Sequence, residues 1–265
     1  MATIGFIGMG NMGYAMLKGI LNVFPKEEII FSNMGDKRNK EVEEETEVKV
    51  QLNNKECASK AKYIILAIKP QQYQEVLEEI EDELNKNHVI LSIAPGITIK
   101  EIKGTLGKEK RIVRAMPNTP ALLGEGMTGI SYDETEFSID ESEIIGKIFS
   151  SFGRFIKVEE KLMSAVVCAS GSSPAYVYMF IEALADSVVK YGLPRDKAYE
   201  FVAQTVKGSA QMVLETGKHP GELKDQVCSP GGTTIAGVAA LEEFGLRNAL
   251  FKASDACFNK SEKLK

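Results

Sequence analysis

Residues 4–13 read Ile4-Gly5-Phe6-Ile7-Gly8-Met9-Gly10-Asn11-Met12-Gly13. A short apolar run meets three glycines spaced G-x-G-x-x-G, and Met12, Ala15, Met16, Gly19, Ile20 and Val23 then recur at helical intervals. Strand, glycine turn and helix in this order form a turn that receives a dinucleotide pyrophosphate. Gly8 lets the chain reverse, Gly10 lets the phosphates approach the backbone, and Gly13 lets the helix pack on the strand. Unpaired N–H groups at the helix start would face the phosphates. The pattern predicts a cofactor-binding turn made of Gly8, Met9, Gly10, Asn11, Met12 and Gly13.

Beyond that helix, residues 28–33 read as a second strand ending in Ser32-Asn33. A fold that prefers NAD places an acid here to hold the ribose 2'-hydroxyl. In this chain a 2'-phosphate would instead meet a hydroxyl and an amide, with Lys37 and Arg38 just beyond. This predicts NADPH, with NADH as the alternative. In the competing reading, Lys37 and Arg38 are solvated charges that open an acidic helix through Glu45.

Further strands are predicted at 47–52, 62–68, 88–93 and 111–116, with two more at 126–132 and 154–158. The run KYIILAI at 62–68 is apolar almost throughout, as in a parallel strand covered on both faces. Helices are expected at 73–84 and 138–151. Ligands collect beyond the carboxyl ends of such strands, where this chain has Lys69-Pro70, Ala94-Pro95-Gly96 and Pro117-Asn118-Thr119-Pro120.

From about Leu162 the strand signals stop. The helix from Pro174 through Val189 is apolar on nearly every face, which predicts that a second subunit covers it. Helices follow at 195–214, 222–227, 235–243 and from 246. Ser229-Pro230-Gly231-Gly232-Thr233-Thr234 opens one of them with N–H and O–H donors and no cation, a pattern that fits either a carboxylate site or a plain helix cap. Ala169 to Pro174 fits either a cap and tight packing point or a run of small residues that lets a substrate ring approach the helix.

The chain has 265 residues and a net charge of −5, and no dense basic stripe, which argues against nucleic acid and against a membrane surface as partners. Its start lacks a charged segment before an apolar one, and no run of 18 apolar residues occurs, so a cytoplasmic protein is expected. Cys57, Cys168, Cys228 and Cys257 are scattered without C-x-x-C, which predicts reduced thiols and no metal site. Neither His88 nor His219 neighbours a nucleophile or ligand set.

Taken together, GFIGMGNMG, LAIKPQ, RAMPNTPALLGEG, SGSSPAYVYMFIEALAD, GLPRDKA and HPGELKDQVCSPGGTTIAGVAALE resemble the pyrroline-5-carboxylate reductase family, in order and over essentially the whole chain. The resemblance implies an α/β fold: a Rossmann-type, mostly parallel sheet domain over 1–160, followed by an all-α dimerisation and substrate domain over 161–265. It implies NAD(P)H-dependent reduction of the cyclic imine 1-pyrroline-5-carboxylate to L-proline, by dimers that some members assemble into decamers. Carried over by position, it adds Ser32, Asn33, Asn54, Ala67, Lys69, Pro70 and Ala94 to the cofactor site. Glu160, Ser229, Gly232, Thr233 and Thr234 fall in the substrate site, where the Thr234 hydroxyl is expected to bond the imine nitrogen. The chain departs from the family at Ser173, often glycine, and at Pro95, often alanine. The alternatives are a β-hydroxyacid-type dehydrogenase, although no lysine follows Gly171 before Lys190, and a nucleotide-sensing protein without turnover.

Overall fold

Strand and helix alternate through the first part of a computed structural model that describes residues 2–263. The strands are β1 (Ala2–Ile7), β2 (Ile29–Ser32), β3 (Lys49–Val50), β4 (Ala61–Leu66), β5 (Val89–Ser92), β6 (Arg111–Met116), β7 (Gly126–Ser131) and β8 (Gly153–Lys157). Between them run α1 (Asn11–Ile20), α2 (Asp36–Thr46), α3 (Asn54–Lys60), α4 (Tyr73–Ile80), α5 (Ile99–Leu106) and α6 (Ile139–Ser150). The second part is helical: α7 (Met163–Val166), α8 (Ser173–Val189), α9 (Arg195–Thr216), α10 (Pro220–Gln226), α11 (Thr233–Glu243) and α12 (Leu246–Glu262).

All eight strands form one sheet in the order β3-β2-β1-β4-β5-β6-β7-β8. Every pair is parallel except β6 with β7. Side chains alternate between the two faces of a strand, and here both faces are covered. Ile4, Phe6, Tyr63, Ile65, Val89 and Leu91 join the apolar cluster that includes Met16, Ile20 and Phe149 from α1 and α6. Ile7, Ile64, Leu66, Ile90 and Ile112 join the opposite cluster, with Tyr73, Leu77 and Ile102 from α4 and α5. The nearly unbroken apolar runs in the sequence are the consequence.

The chain divides into two compact units, one running through Ser172 and resuming at Cys257, the other Ser173–Ala256. The second unit buries little of its own surface. Ala185, Ala198 and Val202 are its core, while Tyr178, Met179 and Phe180 on α8 and Phe201 and Met212 on α9 are exposed.

Several elements differ from expectation. Helix α1 ends at Ile20, and Val23 lies exposed in the tight turns before Pro25, where Asn22 and Val23 donate to Gly19 and Ile20. The edge strand β3 keeps only two residues, and α3 and α5 are not among the expected helices, although Thr98 and Glu101 form a capping box at the start of α5. The helical run reaches back ahead of Pro174 through α7 and a π-helical turn at Val167–Gly171. By length and composition, the helical stretch Glu160–Val189 is apolar enough to cross a membrane.

That π turn has an identifiable cause. Pro174 has no N–H to give the carbonyl of Ser170, one turn before it, and Ser172 donates to Val167 in the wider π pattern. The buried Asn118 supplies the missing donor: its Nδ2 bonds the Ser170 carbonyl at 3.0 Å while its Oδ1 accepts the Met127 N–H at 2.8 Å. We expect Asn118→Ala to destabilise the protein by about 2–4 kcal/mol, because two buried backbone groups lose their partners. Denaturant unfolding measures this, and a loss below about 0.5 kcal/mol would contradict the account.

Glu141 performs a similar service at the start of α6. It closes a capping box with Ser138 and accepts hydrogen bonds from Lys62 on β4 and Arg111 on β6. Desolvation pushes its carboxyl up, but the Lys62 and Arg111 donors and the Ser138 N–H outweigh that and hold it at about 2. A carboxylate lowered on folding stabilises above its unfolded value, and that stabilisation is lost as the pH falls through the folded one. Glu141→Gln should therefore cost about 2–3 kcal/mol at pH 7. The gap from the parent should close between roughly pH 4.5 and 2; a gap that does not change with pH would refute this.

Candidate functional site

The carboxyl ends of β1, β2 and β4 open into a cleft of about 230 Å³ lined by Gly8, Met9, Gly10, Asn33, Asn54, Ala67 and Lys69. The three glycines of the turn differ in what holds them there. Gly8 has φ +93°, and a Cβ on it would lie 2.6 Å from the Ala67 carbonyl oxygen. On Gly13 a Cβ would lie 2.8 Å from the Gly8 carbonyl oxygen. Both are demanded by the protein's own packing. Around Gly10 nothing lies within 4 Å of that position, so its missing side chain keeps open space rather than close contact.

Gly10 also caps α1 without a side-chain hydrogen bond, and the first turn carries no acid. N–H groups at the helix start are thus free of side-chain caps and face a cradle that a pyrophosphate fits. The turn itself is fixed from β2. Gly8 N donates to the Ser32 carbonyl at 2.8 Å and Met9 N to Asn33 Oδ1 at 3.2 Å. Arg38 Nε donates to the Met9 carbonyl at 3.1 Å, with the guanidinium 4.5 Å above the Tyr14 ring. Lys37 stands at 92% side-chain exposure.

The sequence-predicted residues therefore separate into two layers. Ser32 is buried behind the cleft, its hydroxyl donating to Asn54 Oδ1 at 2.8 Å, while Asn54 Nδ2 donates to Glu79 at 2.6 Å. Ala94 is packed in the core at the end of β5 and lines no part of this cleft. Asn11, Met12 and Gly13 lie along the start of α1, and Pro70 begins the turn that follows Lys69. Sequence reasoning missed Met34, Ile68 and Gln72 on the lining. Only their position just after two strand ends could have pointed to them.

Glu160 lies in the first unit. Its Oε1 accepts from Arg114 Nη1 at 2.9 Å and from the Ile99 N–H at the start of α5 at 2.8 Å. Ser229, Gly232, Thr233 and Thr234 lie in the second unit, at the start of α11. The Gly232 N–H closes the loop onto the Ser229 carbonyl at 3.0 Å. Gly232 caps the helix with no side-chain hydrogen bond, and both threonines are exposed. The loop thus caps α11 through Gly232, and neither threonine hydroxyl supplies the cap. Its donors are presented outward, an arrangement suited to a carboxylate. The two histidines have structural roles. His88 is buried and its Nδ1 accepts the Asn85 N–H, while His219 Nδ1 accepts the Gly221 N–H at the head of α10.

Residues 3–96 match a family model described as NADP oxidoreductase, coenzyme F420-dependent. Residues 160–264 match one described as pyrroline-5-carboxylate reductase dimerisation. The pyrroline-5-carboxylate reductase of Escherichia coli (strain K12) is 46% identical over 264 residues, spanning 98% of this chain and 97% of that one. A solved pyrroline-5-carboxylate reductase from Coxiella burnetii superposes with a TM-score of 0.92 at 35% identity, covering 100% of this chain and 98% of its own. A solved pyrroline carboxylate reductase from Plasmodium falciparum, with NADP bound, gives 0.89 at 34% identity over 99% of this chain and 98% of its own. With relatives this similar along both of its units, the chain belongs to the pyrroline-5-carboxylate reductase family.

Proposed function

We propose that the protein reduces 1-pyrroline-5-carboxylate to L-proline with NADPH, the last step of proline biosynthesis, in the cytoplasm. One observation carries the reading. Both glycine-rich helix starts, at Gly10 and at Gly232, keep their donors clear of side-chain caps, in a chain 46% identical to a named reductase.

The reduced nicotinamide, when bound, supplies the hydride that reaches the imine carbon. The protein's part is binding and orientation. The start of α1 holds the pyrophosphate, with Asn54, Ala67, Lys69 and Pro70 along the cofactor. Asn33, Lys37 and Arg38 receive the 2'-phosphate, and Ser32 acts behind them by orienting Asn54. At the start of α11, Ser229 and the N–H groups of Gly232 and Thr233 hold the substrate carboxylate, and the Thr234 hydroxyl bonds the ring nitrogen. A hydroxyl both donates and accepts, so it serves imine and amine alike. A protonated imine is already electrophilic, so placing its carbon at roughly 3–3.5 Å from the donor carbon is most of the task.

The exposed apolar helices of the second unit are read as the surface of a dimer, with a decamer as the higher assembly. Glu182 and Asp186 interrupt α8, which favours protein over lipid as its cover. Residues 1–160 are assigned to the cofactor and 161–265 to substrate and self-association.

A spectrophotometric assay with pyrroline-5-carboxylate should show NADPH consumption faster than NADH consumption at equal concentration, and no turnover with either would overturn the reading. Thr234→Ala should lower kcat/KM by roughly tenfold to a hundredfold. Full retention would remove Thr234 from the mechanism. For the coenzyme, a Lys37→Ala, Arg38→Ala variant should lose preference for NADPH over NADH; an unchanged ratio would show that neither cation reads the 2'-phosphate.

A further inference from the structure

The chain passes between its two compact units twice, after Ser172 and after Ala256. Two of its four cysteines, none of them in a disulfide, stand at these crossings: Cys168 one helical turn before the first, Cys257 immediately after the second. Within the first unit, the last turns of α12 lie antiparallel to residues 163–172. Ser261 Oγ meets Ser164 Oγ at 3.2 Å, and in the opposite sense Cys257 Sγ donates to Ser172 Oγ at 3.3 Å. Cys168 lies midway between Ser164 and Ser172, and its thiol shares a hydrogen bond with that of Cys257. The facing side chains are Ser164, Cys168 and Ser172 against Cys257 and Ser261. Ser164, Ser172 and Ser261, which flank the two cysteines along this seam, are all small.

We propose that Cys168 and Cys257 form a reversible redox site, oxidised by small-molecule disulfides to an intramolecular bond that staples the end of α12 to the π-helical turn. The thiolate of one cysteine attacks the small disulfide, forming a protein mixed disulfide and expelling one small thiolate. The second protein thiolate attacks the protein sulfur of that bond and expels the other. The small disulfide is thereby reduced to two thiols, which take up the two protons the cysteines release. Desolvation, and then the neighbouring Cys257 thiol, push Cys168 up to about 11; either cysteine opens the exchange and the other resolves it. Cys57, pushed up to about 12 by burial beneath the sheet, takes no part.

The staple lands on a firm element. Asn118 holds the Ser170 carbonyl at 3.0 Å. Covalent closure makes residues 169–256 a loop containing the whole second unit, so oxidation restricts the unfolded chain and raises stability. None of this depends on the assigned substrate.

The full-length protein, incubated folded with excess oxidised glutathione and then alkylated in denaturant, provides the test. Mass spectrometry should find one intramolecular disulfide joining the peptides that carry Cys168 and Cys257, with Cys57 and Cys228 alkylated. Dithiothreitol should reverse it, and the oxidised form should melt higher by about 5 °C or more. Cys257→Ser should abolish the linkage. A glutathione adduct that persists on either cysteine, a bond to Cys228 or between chains, or two unmodified thiols would each overturn the proposal.

Discussion

The close approach of the backbone at Gly8 sets the terms for the first unit. Because β1 reverses there against the Ala67 carbonyl, the ends of β1 and β4 are held at a separation that no side chain could enter. The end of β2 is tied to the same point by the Gly8 and Met9 N–H groups. Three strand ends are thus fixed around one turn before any ligand is considered. Helix α1 starts uncapped from it, so the same constraint that packs the sheet creates the anion cradle. Gly10 separates the two demands: it alone of the motif glycines has no packing reason to lack a side chain.

The second unit is governed by the opposite circumstance, too little burial. A core of Ala185, Ala198 and Val202 is small for helices as long as α8 and α9, and many large apolar side chains remain exposed. Exposed apolar area of this extent marks an interaction surface. A partner copy that covers it supplies hydrophobic stabilisation the unit lacks alone, which links folding to assembly. The presence of a dimerisation model over residues 160–264 fits that logic.

What was legible in the sequence followed from short-range rules. The glycine turn was read from its spacing, and β6 was read to the residue because an apolar run ended at Pro117. The family motifs then located the candidate sites. Features set by distant partners left no local mark. The antiparallel direction of β7 depends on its pairing with β6, and nothing in GMTGIS encodes it. Helix α3 buries only Cys57 and Ala58, too few apolar residues to show a period. Ser32 reads as an available hydroxyl, yet Asn54, distant in sequence, occupies it and makes its role indirect.

Glu160 shows how position and chemistry can be read apart. The resemblance puts it with the substrate residues, and as a lone carboxylate it would be a natural acid or base. In the structure one of its oxygens, Oε1, neutralises the buried Arg114 of β6 and takes a backbone N–H that α5 leaves unpaired at its start. Removing such a carboxylate leaves a desolvated cation and an orphan donor, a cost that falls on the framework before it reaches the reaction. Imine reduction has little need of a further acid when the substrate nitrogen is already protonated. A carboxylate spent on holding the end of the sheet to the start of the helical run is therefore compatible with a site that works by orientation.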